Sequence, residues 1–179
     1  DYARIGTTLQ IVGEMLAEGM DIDPRAEVLD VAAGNGNATL AFARRFCDVT
    51  STDYVEALLA RGQARAEAEG LPVKFHVADA EQLPFESGSF GALVSTFGVV
   101  FPPHQGKAPS ELARVCRAGG KIGLANWTAA GFIGQLFKTL GGHVPPPAGV
   151  KSPALWGDQA WLSDAFGSTA SHITVTPLN

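Results

Sequence analysis

Short apolar runs alternate along the chain with longer stretches whose apolar residues recur every third or fourth position. The runs predict five β-strands near residues 27–31, 49–53, 73–77, 92–96 and 121–127. The stretches predict helices, the first of which carries Ile5, Leu9, Val12 and Leu16 on one face and ends near Gly19. Strands that alternate with helices favour a mostly parallel sheet with helices on both faces, the doubly wound α/β class.

The remaining predicted elements follow the same reasoning. Helices are predicted around Leu40, Phe42 and Phe46, over residues 55–69, and over residues 110–117 before a Gly119-Gly120 turn. Beyond a proline-rich stretch at 143–153, aromatic and aliphatic residues predict one or two more helices between 156 and 166. The alternation over residues 172–176 predicts a sixth strand.

The segment 27–39 reads E-V-L-D-V-A-A-G-N-G-N-A-T and is the centre of the pattern. It predicts a buried strand, a tight turn of small residues at 32–36 and the start of a helix. Glycine at Gly34 and Gly36 permits positive φ and lets a ligand lie against the backbone, while free amides of the next helix point at it. The turn, hereafter the glycine loop (residues 32–36), is therefore predicted to hold a nucleotide-like ligand.

Three acids lie at or near the carboxyl ends of the predicted strands, and therefore at the same sheet edge. Asp53 follows the glycine loop by about 20 residues, a spacing at which a strand-end acid can bind ribose hydroxyls. Asp79 can accept from an exocyclic amine, which suits adenine. Asp30 is buried in its strand and needs a donor, either a ligand ammonium or loop amides. The alternatives are helix capping by Asp53 and turn capping by Asp79.

Four segments together resemble the class I S-adenosylmethionine-dependent methyltransferases, in particular the branch of quinone and small-molecule enzymes. They are V-L-D-V-A-A-G-N-G-N, C-D-V-T-S-T-D, F-H-V-A-D-A-E-Q-L-P-F and E-L-A-R-V-C-R-A-G-G-K-I-G-L-A-N-W. They occur in the family's order and cover residues 27–127. The resemblance implies a Rossmann-like fold, S-adenosylmethionine as cofactor and S-adenosylhomocysteine as product.

The resemblance also implies which residues hold the donor. The glycine loop would pass under its methionine part, with Asp30 acting through that loop. Asp53 would bind the ribose and Tyr54 the adenine face, and Asp79 with the Ala80 amide would bind adenine. The strand end at Thr96 would line the sulfonium. The implied cofactor-binding residues are Tyr2 in an N-terminal lid, Asp30, Ala32, Ala33, Gly34, Asn35, Gly36, Asp53, Tyr54, Asp79, Ala80, Thr96 and Phe97.

Three positions depart from related patterns. Ala32 replaces the motif's first glycine, which is tolerable if that residue keeps negative φ, and Ala118 replaces the usual proline before the Gly-Gly pair. Thr39 stands where a dinucleotide fingerprint has its third glycine, and its branched side chain obstructs the close helix–strand contact of such a site. A nicotinamide-dependent oxidoreductase is therefore the less favoured alternative.

Composition narrows the remaining choices. The 179 residues, 46% of them hydrophobic, suit one domain: a lid at 1–22, a cofactor-binding core at 27–127 and a substrate-side segment at 128–179. A net charge of −5 gives little support for nucleic-acid binding. With no run long enough for a membrane span and no signal peptide, we expect a cytoplasmic protein whose two cysteines are reduced. The wide spacing of four histidines predicts no metal site.

The catalytic residues and the acceptor are not specified by these motifs. A sulfonium already makes its methyl electrophilic, so positioning suffices and His104 is a candidate base only for weakly acidic acceptors. Aromatic residues predict a small, partly apolar acceptor: Phe97, Phe101, Trp127, Phe132 and Phe137. The family's seventh strand has no counterpart before Asn179, which predicts either truncation or a displaced last strand. The function hypotheses are a small-molecule methyltransferase, a noncatalytic S-adenosylmethionine-binding module and the oxidoreductase.

Overall fold

A computed structural model describes residues 6–144 and 149–178. Tyr2 and residues 145–148 of the proline-rich stretch lie outside the described residues. The strands are β1 (Glu27–Val31), β2 (Asp48–Asp53), β3 (Val73–Val77), β4 (Phe90–Thr96) and β5 (Cys116–Ala125). The α-helices are α1 (Gln10–Met20), α2 (Asn37–Ala43), α3 (Glu56–Ala68), α4 (Lys107–Val115), α5 (Phe132–His143) and α6 (Gln159–Phe166), and short 3₁₀ helices span Thr7–Leu9 and Pro153–Gly157.

The five strands form one parallel sheet in the order β3-β2-β1-β4-β5. The chain moves outward from β1 through β2 to β3, and then returns to the other side of β1 for β4 and β5. This confirms the predicted doubly wound α/β sheet. The order reverses between β1 and β4, and ligands of such sheets bind beyond the carboxyl ends of the strands at that point.

The core lies on both faces of the sheet because successive strand residues point to opposite sides. Val28 joins a cluster with Ala17 of α1 and Phe42 of α2, while Leu29 joins one with Leu112 of α4. The second cluster also contains Trp156, which is fully buried. The predicted substrate-side segment 128–179 therefore supplies part of the core as well.

The predicted sixth strand is wrong. Residues 172–176 are irregular, and no strand pairs with them in the described part of the chain. Instead, Ile173 packs against the core cluster that contains Trp156, and Thr174 hydrogen-bonds to the His172 ring. Alternating residues form a strand only where a sheet edge accepts their backbone groups, so the pattern here reflects the half-buried side chains of Ile173 and Val175 without a strand. The displaced last strand that we considered is not observed.

Two predicted boundaries also shift. The Gly119-Gly120 pair lies inside β5 as a bulge, because Phe90 pairs with Cys116 while Ala92 pairs with Lys121. Phe46 lies outside α2, with φ +65° and 77% of its surface exposed, because the helix ends at Ala43. Neither change alters the sheet edge that carries the predicted site.

Candidate functional site

The glycine loop leaves β1 through three residues in the left-handed region: Ala32 at φ +54°, Gly34 at +58° and Gly36 at +83°. The condition under which we considered Ala32 tolerable, a negative φ, is therefore not met. A left-handed residue with a Cβ costs about 1–2 kcal/mol. Backbone bonds hold the loop in place, since Ala33 N donates to Thr52 O at 2.9 Å and Gly36 N to Ala33 O at 3.0 Å.

Ala32 has room because Gly98, which follows β4, has no side chain. A Cβ on Gly98 would lie 2.1 Å from the carbonyl oxygen of Ala32 and 2.5 Å from its Cβ. Phe97, just before it, is also left-handed at φ +62°. Strained backbone of this kind is concentrated at functional sites, and here it occurs on both sides of the β1–β4 reversal.

Asp53 ends β2 directly beside the glycine loop and is only 5% exposed. Its Oδ2 accepts from Gly34 N at 2.8 Å, and its Oδ1 accepts from Val55 N at 2.8 Å. The helix cap that we considered as an alternative is not formed, because Val55 is the N-cap of α3 and no side-chain cap bond is made there; at the start of this helix, Asp53 accepts only from the Val55 amide just before it. Each carboxylate oxygen can accept a further bond, so the two structural bonds leave Asp53 able to bind ligand hydroxyls.

Asp30 is fully buried and binds the first turn of α2 instead of lining an opening. Its Oδ2 accepts from Thr39 N at 2.8 Å and Thr39 Oγ1 at 2.6 Å, and that hydroxyl also contacts Ser51 Oγ at 2.9 Å. Its Oδ1 is buried with no hydrogen-bond partner. Burial raises the pKa of Asp30 to about 7. Sequence reasoning treated Thr39 only as an obstruction and missed this contact.

Asp79 and Ala80 follow β3 at the same edge. Asp79 is exposed, its Oδ1 accepts from Glu81 N at 2.8 Å, and it forms an isolated bridge with Gln82. The turn-capping alternative is therefore present in the structure. Ala80 is buried, whereas Tyr54 after β2 is 73% exposed.

A cavity of about 470 Å³ opens where these segments meet. Seven of the predicted residues line it: Ala32, Gly34, Asp53, Tyr54, Asp79, Ala80 and Phe97. Phe101, which the sequence placed with the acceptor, also lines the cavity. Six further lining residues were not predicted from the sequence: Val55, Leu58, Ala78, Gly98, Pro102 and Pro103. The i, i+3 spacing of Val55 and Leu58 just after Asp53 could have predicted that these two residues face the same site. The predicted residues that do not line it are Asp30, Ala33, Asn35, Gly36 and Thr96.

The predicted acceptor residues divide between cavity and surface. Phe97 stacks on Trp127 with ring centroids 3.9 Å apart and planes 10° apart, and Phe101 is a second wall. Phe132 is 81% exposed, and neither it nor Phe137 lines the cavity. His104 lines a separate depression beside the cavity, with its backbone N–H donating to Glu81 Oε1 at 2.7 Å.

The described residues contain neither a metal-binding cluster nor a membrane-spanning helix. Within 6–144 and 149–178, no three His, Cys, Asp or Glu side chains come together as metal ligands would. None of the helices described there is long and apolar enough to cross a bilayer.

The chain is similar to known proteins in sequence and in fold. An uncharacterized protein of Mycobacterium tuberculosis is 43% identical over 175 residues, which are 97% of this chain and 64% of that protein. A ubiquinone/menaquinone biosynthesis C-methyltransferase of Bordetella parapertussis is 38% identical over 104 residues, 56% of this chain and 40% of that enzyme. The solved structure of a geranyl diphosphate methyltransferase in complex with SAM shares the fold, with a TM-score of 0.68 at 19% identity over 89% of this chain and 64% of that one.

Residues 28–120 match the family described as "Methyltransferase domain", a span that runs from β1 through the bulge of β5. It contains the glycine loop, both strand-end acids and the whole described lining of the cavity. The chain therefore belongs to the methyltransferase domain family, whose class I members use S-adenosylmethionine as cofactor.

Proposed function

We propose that this chain binds S-adenosylmethionine in the cavity at the β1–β4 reversal and transfers its methyl group to a small, partly apolar acceptor. One observation carries the proposal: a single cavity is lined by the glycine loop at Gly34, by the acids Asp53 and Asp79, and by the apolar residues Phe97 and Phe101. The acids suit a nucleoside, and the apolar wall suits an acceptor.

The residues present fit the cofactor. Asp53 presents carboxylate oxygens for the ribose diol, and Asp79 with Ala80 presents an acceptor and an amide for adenine. The first turn of α3 supplies apolar contacts for the base at Val55 and Leu58. Beneath the methionine part lies the glycine loop, and behind the loop the Asp30 Oδ1 is buried without a hydrogen-bond partner.

The chain's role in catalysis is chiefly positioning. S-adenosylmethionine, when bound, supplies an electrophilic methyl group. The left-handed Phe97 and its neighbour Gly98 form the wall past which an acceptor atom must approach, and the stack on Trp127 keeps the Phe97 ring in place. Alignment of a nucleophile in this way can account for much of a rate enhancement. A base is needed only for weakly acidic acceptors, for which His104 is the nearest candidate from the sequence.

A relative supports the acceptor class. The Bordetella enzyme is named as a C-methyltransferase of ubiquinone/menaquinone biosynthesis, and quinones are partly apolar compounds. Phe101, which is 57% exposed at the cavity, provides a matching surface. The chain spans 64% of the length of its mycobacterial relative.

Two further expectations belong to this proposal. Residues 1–22 act as a lid, which is supported by the bond from Asn37 Nδ2 to Gly6 O at 2.6 Å beside the glycine loop. A cytoplasmic location is supported by the free thiols of Cys47 and Cys116.

Calorimetric titration with S-adenosylmethionine, S-adenosylhomocysteine and NAD tests the proposal. We expect both sulfur ligands to bind and NAD not to bind, and we expect labelled methyl to appear on a member of a panel of quinones, phenols and prenyl compounds. Binding of NAD alone would contradict the assignment of the cavity. Binding of the sulfur ligands without transfer to any acceptor would favour the noncatalytic module.

A further inference from the structure

Arg65, on the last turns of α3, donates to three acceptors on two other segments. Its Nη1 reaches Asn35 O at 2.7 Å and Asn37 Oδ1 at 2.9 Å, and its Nη2 reaches Gln10 Oε1 at 3.2 Å. All three acceptors are neutral oxygens. The guanidinium is half-buried, and burial lowers its pKa. Partial burial of a cation costs free energy, and here hydrogen bonds to neutral oxygens offset that cost. These bonds therefore hold Arg65 and its three acceptors in a defined geometry.

One of these acceptors belongs to the glycine loop. Asn35 lies between Gly34 and Gly36, both left-handed. The peptide that joins Asn35 to Gly36 is held on both sides, because its carbonyl accepts from Arg65 and its N–H donates to Ala33 O at 3.0 Å. Rotation of that peptide would break both bonds, so Arg65 helps to set the direction of the loop amides.

Close packing of α3 against the loop supports the same arrangement. Gly62 lies one turn before Arg65 on the same helix face. A Cβ on Gly62 would lie 3.4 Å from the carbonyl carbon of Asn35, and Gly62 is buried. The helix therefore contacts the loop directly at Gly62 and binds it by hydrogen bonds at Arg65.

The same guanidinium reaches the N-terminal helix. Gln10 is the first residue of α1, and a Cβ on Gly13 of that helix would lie 2.9 Å from the backbone of Asn37. Arg65 thus binds the start of α1 and the start of α2 at once. The loop and the segment that enters α1 are held in one arrangement by one side chain.

We propose that Arg65 is a positioning residue that holds the glycine loop in the shape on which the methionine part of S-adenosylmethionine rests. This inference rests on the proposed function. It predicts that loss of Arg65 weakens contacts to the amino-acid part of the donor more than contacts to its nucleoside part. Among the described residues, Asp79 and Ala80 make no bond to the Arg65 network, and Asp53 reaches it only through its bond from Gly34 N.

The test compares two ligands. Calorimetry measures Kd for S-adenosylmethionine and for 5′-methylthioadenosine, which lacks the amino-acid part, in wild type, Arg65→Met, Arg65→Lys and Arg117→Met. Arg65→Met should raise Kd for S-adenosylmethionine at least about tenfold, as loss of one charge-assisted bond implies, and Kd for 5′-methylthioadenosine less than about threefold. Arg65→Lys should recover part of the loss. Arg117, paired with Glu27 at 2.6 Å on the surface, is the matched control and should change neither value.

Several outcomes overturn the inference. An equal loss for both ligands indicates a general structural role, and unchanged affinity for S-adenosylmethionine removes any role in the site. Titrations are run where circular dichroism shows every variant folded, and Gln10→Ala together with Arg65→Lys replaces Arg65→Met if that variant does not fold.

Failure of the proposed function gives a different result. If wild type does not bind S-adenosylmethionine, amide hydrogen exchange of the unliganded protein still tests Arg65. The Gly36 amide should then exchange faster in Arg65→Met than in Arg117→Met. Equal exchange in the two variants overturns the positioning role.

Discussion

The donor half of the sheet edge is held by hydrogen bonds to buried groups, whereas the half that we assign to the acceptor is lined by apolar side chains that reach solvent. Asp53 is 5% exposed and bonded at both oxygens, while Phe101 is 57% exposed. A fixed donor requires preorganised polar contacts, because each must be in place before the ligand arrives. In the proposed function, acceptor selection relies on apolar shape, which tolerates variation.

Among the variants that test this comparison, Gly98→Ala should have the largest effect on stability. The new Cβ would lie 2.1 Å from the carbonyl oxygen of Ala32, a backbone atom that cannot move without displacing the glycine loop. We expect the free energy of unfolding to fall by about 3 kcal/mol, measured by urea denaturation. Gly141→Ala in α5 is the control, because nothing lies within 4 Å of its Cβ, and it should hold or slightly raise stability. Equal stability of the two variants would contradict the close approach of β4 to the loop.

Asp53→Ala should weaken S-adenosylmethionine binding by about 1–3 kcal/mol, because charge-assisted bonds to the ribose are lost. Calorimetry measures the change. Asp48→Ala removes an acid at the other end of the same strand, where it forms an exposed pair with Lys74 at 2.9 Å, and it should leave Kd unchanged. Unchanged affinity in Asp53→Ala would remove the ribose assignment.

Asp30→Asn should flatten the pH dependence of stability. Burial raises the folded-state pKa of Asp30 from 3.8 to about 7, so between those values the folded state binds more protons than the unfolded state. The free energy of unfolding of wild type should therefore fall as pH rises from 4 to 7, by at most about 1.4 kcal/mol per pH unit from this group. Asparagine keeps an oxygen for the Thr39 amide but does not titrate. Urea denaturation at several pH values measures both slopes, and parallel curves would contradict this account.

Phe132→Ala should have the smallest effect. Its side chain is 81% exposed at the start of α5, outside the cavity, so stability should change by less than about 0.5 kcal/mol and Kd for S-adenosylmethionine should not change. Denaturation and calorimetry on one preparation measure both. A stability loss above 1 kcal/mol would show that this part of the surface is packed.

The order of the donor half was predictable because it depends on local pattern. The spacing of apolar residues and the small residues of the turn predicted β1, the glycine loop and α2 in that order. The positions of Asp53 and Asp79 after their strands predicted that both lie at one sheet edge. The φ of Ala32 was not predictable, because it depends on Gly98, which follows β4 and is distant in sequence. The contact of Thr39 with Asp30 was missed for a similar reason, since Asp30 becomes its neighbour only when α2 packs on β1.

Predictions for the acceptor half were weaker because its elements depend on contacts beyond their own pattern. The alternation at 172–176 could not show that no strand would pair with it among the described residues. The Gly119-Gly120 pair has turn chemistry, yet the register with β4 makes it a bulge. Aromatic residues showed that an apolar wall exists but not that Phe132 lies outside it.

Amide NMR spectra of the protein titrated with S-adenosylmethionine test the central claim most directly. We predict that the amide signals of Gly34, Val55 and Ala80 move together with one dissociation constant, while those of Gly106 and Gly141 do not move. Signals that move only around His104 and Lys107, or no movement at saturating ligand, would contradict the placement of the donor at the β1–β4 reversal.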